Sequence, residues 1–269
     1  MTTRVHGRIG AALAVLLLFG CLRTSHAGEA EGSIDAWLKV GRRAARSVVR
    51  IQWRSRGGLA PPVERSAVVL DSAGWLLMAG PPPGRDGTLA ASLADGRTMR
   101  AEVWARDARS ALTLLRIPVR DLPALALRKA PARRSSSLVP RRLPPATAFL
   151  MVTPEGAIAK GSLRANHRMR SLPAADGLPE TTVTCLDEAA LTVVPTDLGS
   201  PWVDEHGDVI GLLVGAQIAV PDRKQAPDEV TTLRPQVVAA YAVPCDVLRV
   251  VWPLLRDRRT VERAAIGIR

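Results

Sequence analysis

A hydroxyl cleaves an amide only when an imidazole takes its proton and a carboxylate fixes that imidazole's tautomer. The 269-residue chain offers little from which to build such a set. It has four His, at 6, 26, 167 and 206, and three Cys, at 21, 185 and 245. Ser200, in Thr196-Asp-Leu-Gly-Ser-Pro201, is a hydroxyl in a tight loop, and no base is expected within its reach. His206 stands in Asp204-Glu-His-Gly207, a hairpin-turn sequence that directs its side chain to solvent. His167, in Arg164-Ala-Asn-His-Arg168, is expected at a strand end and exposed. No H-E-x-x-H, C-x-x-C or P-loop pattern occurs, so neither a metal nor another cofactor is expected.

The elements that hold these positions read as β structure. Ser47 to Trp53 alternates with the two-residue period of a half-buried strand. Short strands are expected at Ser66 to Leu70, Trp75 to Met78, Thr88 to Leu93, Met99 to Arg106 and Leu112 to Ile117. Asp71-Ser-Ala-Gly74 and Ala94-Asp-Gly-Arg97 are hairpin-type turns. Residues 128–146, dense in Pro, Ser and Arg, read as a linker between two halves. Strands resume at Thr147 to Val152, Ala157 to Ala165, Thr181 to Asp187, Ala190 to Val194, Trp202-Val203, Val209 to Val214 and Val237 to Val243. The loop 219–234 is expected to be exposed. Helical spacing marks Ser33 to Arg46 and the segment after Asp246, where Asp246 is expected as the cap and Pro253 as a bend or stop. Many short strands split by a linker predict an all-β chain of two packed barrels. The domains are then a signal segment (1–27), a tether with a helix (28–46), a first barrel (47–127), the linker, a second barrel (147–245), and a terminal helix and tail (246–269).

Arg4 and Arg8 precede an apolar run, Ile9 to Phe19, of signal-peptide length and too short to cross a membrane comfortably. Two ends to this signal are open. Leu18-Phe-Gly-Cys21 resembles a lipobox, with lipidation at Cys21, and Ser25-His-Ala27 fits ordinary cleavage before Gly28. Either one exports the chain to the periplasm or envelope. In that oxidising compartment Cys185 and Cys245 are candidates for a disulfide, with two buried free thiols as the alternative. The formal net charge is +12, carried almost wholly by Arg, and aromatics make up 3% of the chain. Stacking platforms are therefore scarce and nucleic acid is not an expected partner. The basic excess suits an anionic envelope surface, or is simply solvated.

The stretch from Val194 to Leu212, V-P-T-D-L-G-S-P-W-V-D-E-H-G-D-V-I-G-L, resembles the nucleophile segment of HtrA/Deg-type trypsin-like serine proteases, N-P-G-N-S-G-G-P-L-V-D-x-x-G-x-V-I-G-I. Ala45 to Ile51 is similar to that family's first strand. Arg65-Ser-Ala-Val-Val-Leu-Asp-Ser-Ala-Gly-Trp-Leu-Leu77 is similar to its G-S-G-V-V-I-D-x-x-G-Y-I-L. Leu93 to Arg116 resembles L-x-D-G-R…A-x-V…x-R-D-x-x-x-D-L-A-L-L-K, and Tyr241-Ala-Val-Pro244 and Thr260 to Ile268 resemble the end of its protease domain. The resemblance implies a trypsin-like double barrel in which the base slot is Pro81, the orienting-carboxylate slot Ala111 and the nucleophile slot Leu198. None of these side chains moves a proton or attacks a carbonyl. Losing one triad member alone costs about 10⁴- to 10⁶-fold in turnover. In the loop that would bind the oxyanion, Thr196-Asp197 replaces the family's Gly-Asn, while Gly199 is kept and Ser200 replaces a Gly. A carboxylate at 197 opposes a developing oxyanion.

The resemblance therefore implies an inactive member used as a binding or scaffold protein, with no peptide-reading domain after residue 269. Its expected partner is an extended or unfolded polypeptide in the former substrate cleft; Trp75, Trp104 and Trp202, all on strands, are expected in core packing, or else lining or underpinning that cleft. The competing readings are a hydrolase rearranged around Ser200, His167 or His206, and a structural envelope lipoprotein. Contact with a membrane is expected only through a lipid on Cys21.

Overall fold

Successive side chains of a strand point to opposite faces, and here one face of each strand turns into the interior of one of two closed sheets. The computed structural model describes residues 34–57, 61–82, 86–129, 143–144, 146–156, 158–172, 181–189, 191, 193–219 and 236–258. The side chains of 158, 166–172, 181–185, 195, 218–219 and 236–238 lie outside that description. Residues 34–39 form one unit's described helical segment; residues 40–269 form the other, in which the helix α1 (34–45) continues over 40–45.

In the first barrel β1 (Val48–Ser55), β2 (Val63–Asp71), β3 (Trp75–Ala79), β4 (Gly87–Ser92), β5 (Thr98–Asp107) and β6 (Leu112–Arg116) run antiparallel in the order β1-β2-β3-β6-β5-β4. Val49, Ile51, Ala67, Val69, Leu76, Met78, Leu115 and Ile117 point inward and form its core. The second barrel has β7 (Ala148–Val152), β8 (Ile158–Leu172), β9 (Thr181–Ala189), β10 (Pro201–Val203), β11 (Val209–Ala219) and β12 (Gln236–Pro244), in the order β10-β11-β12-β9-β8-β7. Its core centres on Trp202, fully buried and stacked on Phe149 with ring centroids 4.3 Å apart. The fold is the expected all-β double barrel.

Several local expectations are corrected. Ala190 to Val194 is not a strand: β9 ends at Ala189, and what is described of the segment is irregular. Leu191 and Val193 still bury in the second core, so the apolar alternation there is satisfied by packing without a ladder. His167 lies inside β8 and not at a strand end, and its side chain is outside the described residues. Asp246 is not the cap of the terminal helix α2 (Cys245–Arg256). Pro244 holds that place in extended conformation, φ −72° and ψ 156°, because β12 runs straight into the helix. Pro253 does not end α2 but lies in its last turn, and the helix continues three residues past it to Arg256. Most of the expected linker 128–146 and of the loop 219–234, and all of the expected signal segment 1–27, lie outside the described residues. Leu127 and Arg128, at the linker's start, are already bonded to β11: Leu127 bridges Val209, and the Arg128 amide donates to the Val209 carbonyl at 2.9 Å.

The expected places of the tryptophans resolve as packing. Trp202 is core. Trp75 and Trp104 meet edge to face at 5.2 Å on the outside of the first barrel, where Trp252 of α2 joins them at 6.3 Å. Because Trp202 fills the centre of the second core, Trp202→Ala should destabilise the protein by about 3–5 kcal/mol in urea unfolding. A loss below about 1 kcal/mol would mean the second barrel does not pack around this ring.

Candidate functional site

The two barrels meet where β2 passes the loop leading into β10. The Ser66 amide donates to the Leu198 carbonyl at 2.9 Å, and the Ser66 hydroxyl donates to the Thr196 carbonyl at 3.1 Å. Gly199, at φ +93°, lies so close behind that a Cβ there would fall 1.9 Å from the Ser66 carbonyl oxygen and 3.3 Å from the Ala79 amide nitrogen. Only glycine fits this approach. The seam thus places Leu198 beside the end of β3, two residues before Pro81.

Pro81, Ala111 and Leu198 are gathered at this seam. Gly80, next to Pro81, donates its amide to the Ala111 carbonyl at 2.6 Å, and the Thr113 hydroxyl donates to the Gly80 carbonyl at 2.7 Å. Ala111 itself is held at φ +52°, a left-handed conformation that costs an alanine about 1–2 kcal/mol. Leu198 is half-buried against the second core. The structure therefore brings together three positions that carry a ring without an N–H, a methyl and an isobutyl group.

A residue that the sequence reading passed over lies beneath them. Arg65 is buried, on the same strand face as inward-pointing Ala67 and Val69. Its guanidinium donates to the Ala79 carbonyl at 3.2 Å and to the Pro81 carbonyl at 3.0 Å. A buried cation is kept only where acceptors surround it, and here two of those acceptors flank position 81. The mark in the sequence was an Arg on the strand face that also carries Val63, Ala67 and Val69, where the resembling pattern has Gly.

The loop in front is closed on itself. Pro195–Asp197 forms a 3-10 turn. The Asp197 amide donates to the Val194 carbonyl at 2.9 Å, the Gly199 amide to Leu213 at 2.8 Å, and the Ser200 amide to Asp197 at 2.8 Å. These three bonds tie the loop to itself and to β11. The Asp197 carboxylate accepts from the Val194 amide at 2.8 Å. Burial pushes its pKa up; the Val194 hydrogen bond opposes this, and the Glu155 charge adds to it. Glu155 comes from the turn after β7 and pairs with Arg50 of β1 across the barrels at 2.5 Å. Burial raises the Glu155 pKa as well, yet the Arg50 bond and charge outweigh it and the net shift is downward.

The other candidate groups stand apart. The Ser200 hydroxyl is fully buried and has no hydrogen-bond partner among the described residues. His206 is exposed in the turn at the far end of β10, beside Glu205 at 3.7 Å. The three residues of β10 separate it from Ser200 by roughly 10 Å. Cys245 is a buried free thiol, not half of a cystine, and accepts from Arg249 at 3.4 Å. The Cys185 side chain and Cys21 lie outside the described residues. Among the described residues no cluster of His, Cys, Asp and Glu could hold a metal.

Residues 66–212 match the family described as the trypsin-like peptidase domain. Of the solved structures, 373 chains match. One is an HtrA-type protease, AlgW, solved with a tripeptide. It is similar at a TM-score of 0.57 and 19% identity, over 82% of this chain and 64% of that one. The chain thus spans less than two thirds of that protein's length. No curated protein sequence matches it significantly.

Two variants test the seam. Ala111→Gly should relieve the left-handed strain and raise stability by about 0.5–1 kcal/mol, whereas Gly199→Ala should cost more than about 3 kcal/mol; equal effects from both would refute the geometry. Asp197 provides a pH test. A carboxyl whose folded pKa is raised favours the folded state below its unfolded pKa and loses that contribution as pH rises through the folded value. Asp197→Asn should therefore raise the thermal midpoint at neutral pH, with the gain shrinking as pH falls into the carboxylate range. A gain independent of pH would contradict the burial of this group.

Proposed function

The chain belongs to the trypsin-like peptidase family, and from that premise we propose that it is an exported, catalytically inactive member that binds extended polypeptide. The observation that carries this reading is the convergence of Pro81, Ala111 and Leu198 on one seam. Nothing at these three positions can accept a proton, orient a base or attack a carbonyl. Two further features support it. The Arg65 cation beside position 81 would oppose the imidazolium that a base must become there. Asp197 brings negative charge to where an oxyanion would form.

Binding is supported by the edge of β11. Its ladder with β12 runs on through Ala219, but on its other side the β10 ladder stops at Leu212 and the loop bonds stop at Leu213. From Val214 onward one side of this strand has no partner among the described ladders. An extended peptide adds to such an edge through main-chain bonds, with affinity independent of any catalytic group. The HtrA-type structure that is similar in fold was itself solved with a tripeptide. On this reading the chain works in the bacterial envelope, either freed at Ala27 or held by a lipid on Cys21.

Unfolded casein tests both halves of the proposal. The natural protein should leave it intact and bind it at micromolar concentration by fluorescence anisotropy. A serine-directed phosphonate should leave Ser200 unlabelled. Cleavage that survives removal of contaminating protease, or stoichiometric labelling, would overturn the inactive reading. Absence of binding with no cleavage would overturn the peptide-binding one. A combined Pro81→His, Ala111→Asp, Leu198→Ser variant that cuts casein would verify the assignment of the three slots.

A further inference from the structure

The loop that leads to β10 sets an apolar and an anionic group side by side. Val194 is 53% exposed, the only large apolar side chain exposed outside the two helices among the described residues. Its amide donates to the Asp197 carboxylate at 2.8 Å, so both side chains stand on one turn, and half-buried Leu198 follows directly. The loop then meets β11, where the Gly199 amide donates to the Leu213 carbonyl at 2.8 Å. Two residues, about 7 Å of chain at most, separate Asp197 from that bond. Beyond it β11 keeps its β12 ladder on one side, as far as Ala219, and has no described ladder on the other.

The charge at this turn lacks a counterpart. Burial pushes the Asp197 carboxyl upward in pKa, and among the described residues the one charge acting on it is that of Glu155, another anion. The cation nearest Glu155 is committed to it: the Arg50 guanidinium donates twice to the same carboxylate oxygen, at 3.0 and 2.5 Å. A half-buried carboxylate with one amide donor and no cation favours a ligand that brings one. A divalent metal ion needs several oxygen ligands at one point, and no such cluster occurs among the described residues. A small amine would leave Val194 in water. A lysine or arginine side chain suits both groups, because its aliphatic stem covers apolar surface while its head reaches an anion.

The geometry points to a basic extended segment of polypeptide as the occupant of the β11 edge, with one lysine or arginine laid over Val194 and its cation on Asp197. This inference rests on the peptide-binding reading and names the class of peptide. The main-chain bonds of the edge supply affinity for any extended chain, and the turn at 194–197 selects among sequences.

The test is fluorescence anisotropy of the full chain with two labelled peptides, Thr-Val-Ser-Lys-Val-Thr-Ser and the same sequence with norleucine for its lysine. The lysine peptide should bind about tenfold tighter. Asp197→Asn should reduce that ratio to less than about twofold and leave the norleucine peptide unchanged. Val194→Ser should weaken both peptides by about threefold. Asp95→Asn, which removes an exposed carboxylate from the turn between β4 and β5, should leave the ratio within about 1.5-fold. Circular dichroism melts verify that each variant folds. Equal binding of the two peptides overturns the inference and leaves the peptide-binding reading standing, whereas absence of binding by either overturns both. A ratio that survives Asp197→Asn, or that Asp95→Asn lowers as far, also overturns it, since another anion or the overall charge then selects the cation. Self-association that excess lysine peptide does not reverse would assign the edge to a second copy and overturn it too.

Discussion

The close approach of Gly199 to the Ser66 carbonyl governs how the two halves of this molecule fit. With no side chain at 199, the loop before β10 can lie directly on β2, and the Ser66 amide and hydroxyl can then reach the carbonyls of Leu198 and Thr196. Everything at the seam follows from that contact. Leu198 turns toward the second core, Ser200 is driven inside, and the ends of β3 and β6 are brought level with the loop. A larger residue would have to displace backbone rather than a flexible side chain, and backbone in a closed barrel has little room to yield.

The charges near the seam divide by burial. The Arg50–Glu155 pair spans the barrels, but both side chains are substantially exposed, and such pairs contribute at most about 1 kcal/mol. It does not hold the barrels together; the backbone bonds and the packing around Gly199 do. Arg65 and Asp197 are different, because each is removed from water at the place where a catalytic centre would need the opposite electrostatics. A cation under position 81 and a carboxylate at 197 are both tolerated because backbone groups satisfy them: two carbonyls for Arg65, the Val194 amide for Asp197. In a hydrolase each would raise the barrier, by disfavouring an imidazolium and an oxyanion respectively.

The barrels were legible in the sequence because alternation is a local property, and most strands begin and end within a few residues of where it does. It failed at Ala190 to Val194, where the same alternation buries Leu191 and Val193 without a partner strand. It failed again at the start of α2, where Asp246 looks like a cap only if β12 is imagined to stop early. Arg65 escaped notice for a related reason. In a sequence an arginine between strand residues is taken as facing solvent, and what keeps it buried are carbonyls on β3, which only the folded sheet brings alongside. Pro81, Ala111 and Leu198, by contrast, were singled out by the family resemblance, whose Gly, Pro and Asp punctuate the turns around them.

Position 111 shows why the fold and the chemistry separate. Its backbone remains left-handed, a conformation that a short polar side chain such as Asp tolerates better than Ala does. The strain is held in place by neighbours: the Ala111 carbonyl is pinned by Gly80, and Gly80 by Thr113 and Arg65. The loop thus keeps a geometry its present side chain does not need. At 198 the opposite has happened, since leucine gains apolar contact with the second core where a nucleophile would have to stay exposed and polar. A site that retains its backbone while its side chains turn toward packing keeps its strand edge. A strand edge of this kind is able to take up an extended chain by main-chain bonds, which need no catalytic group.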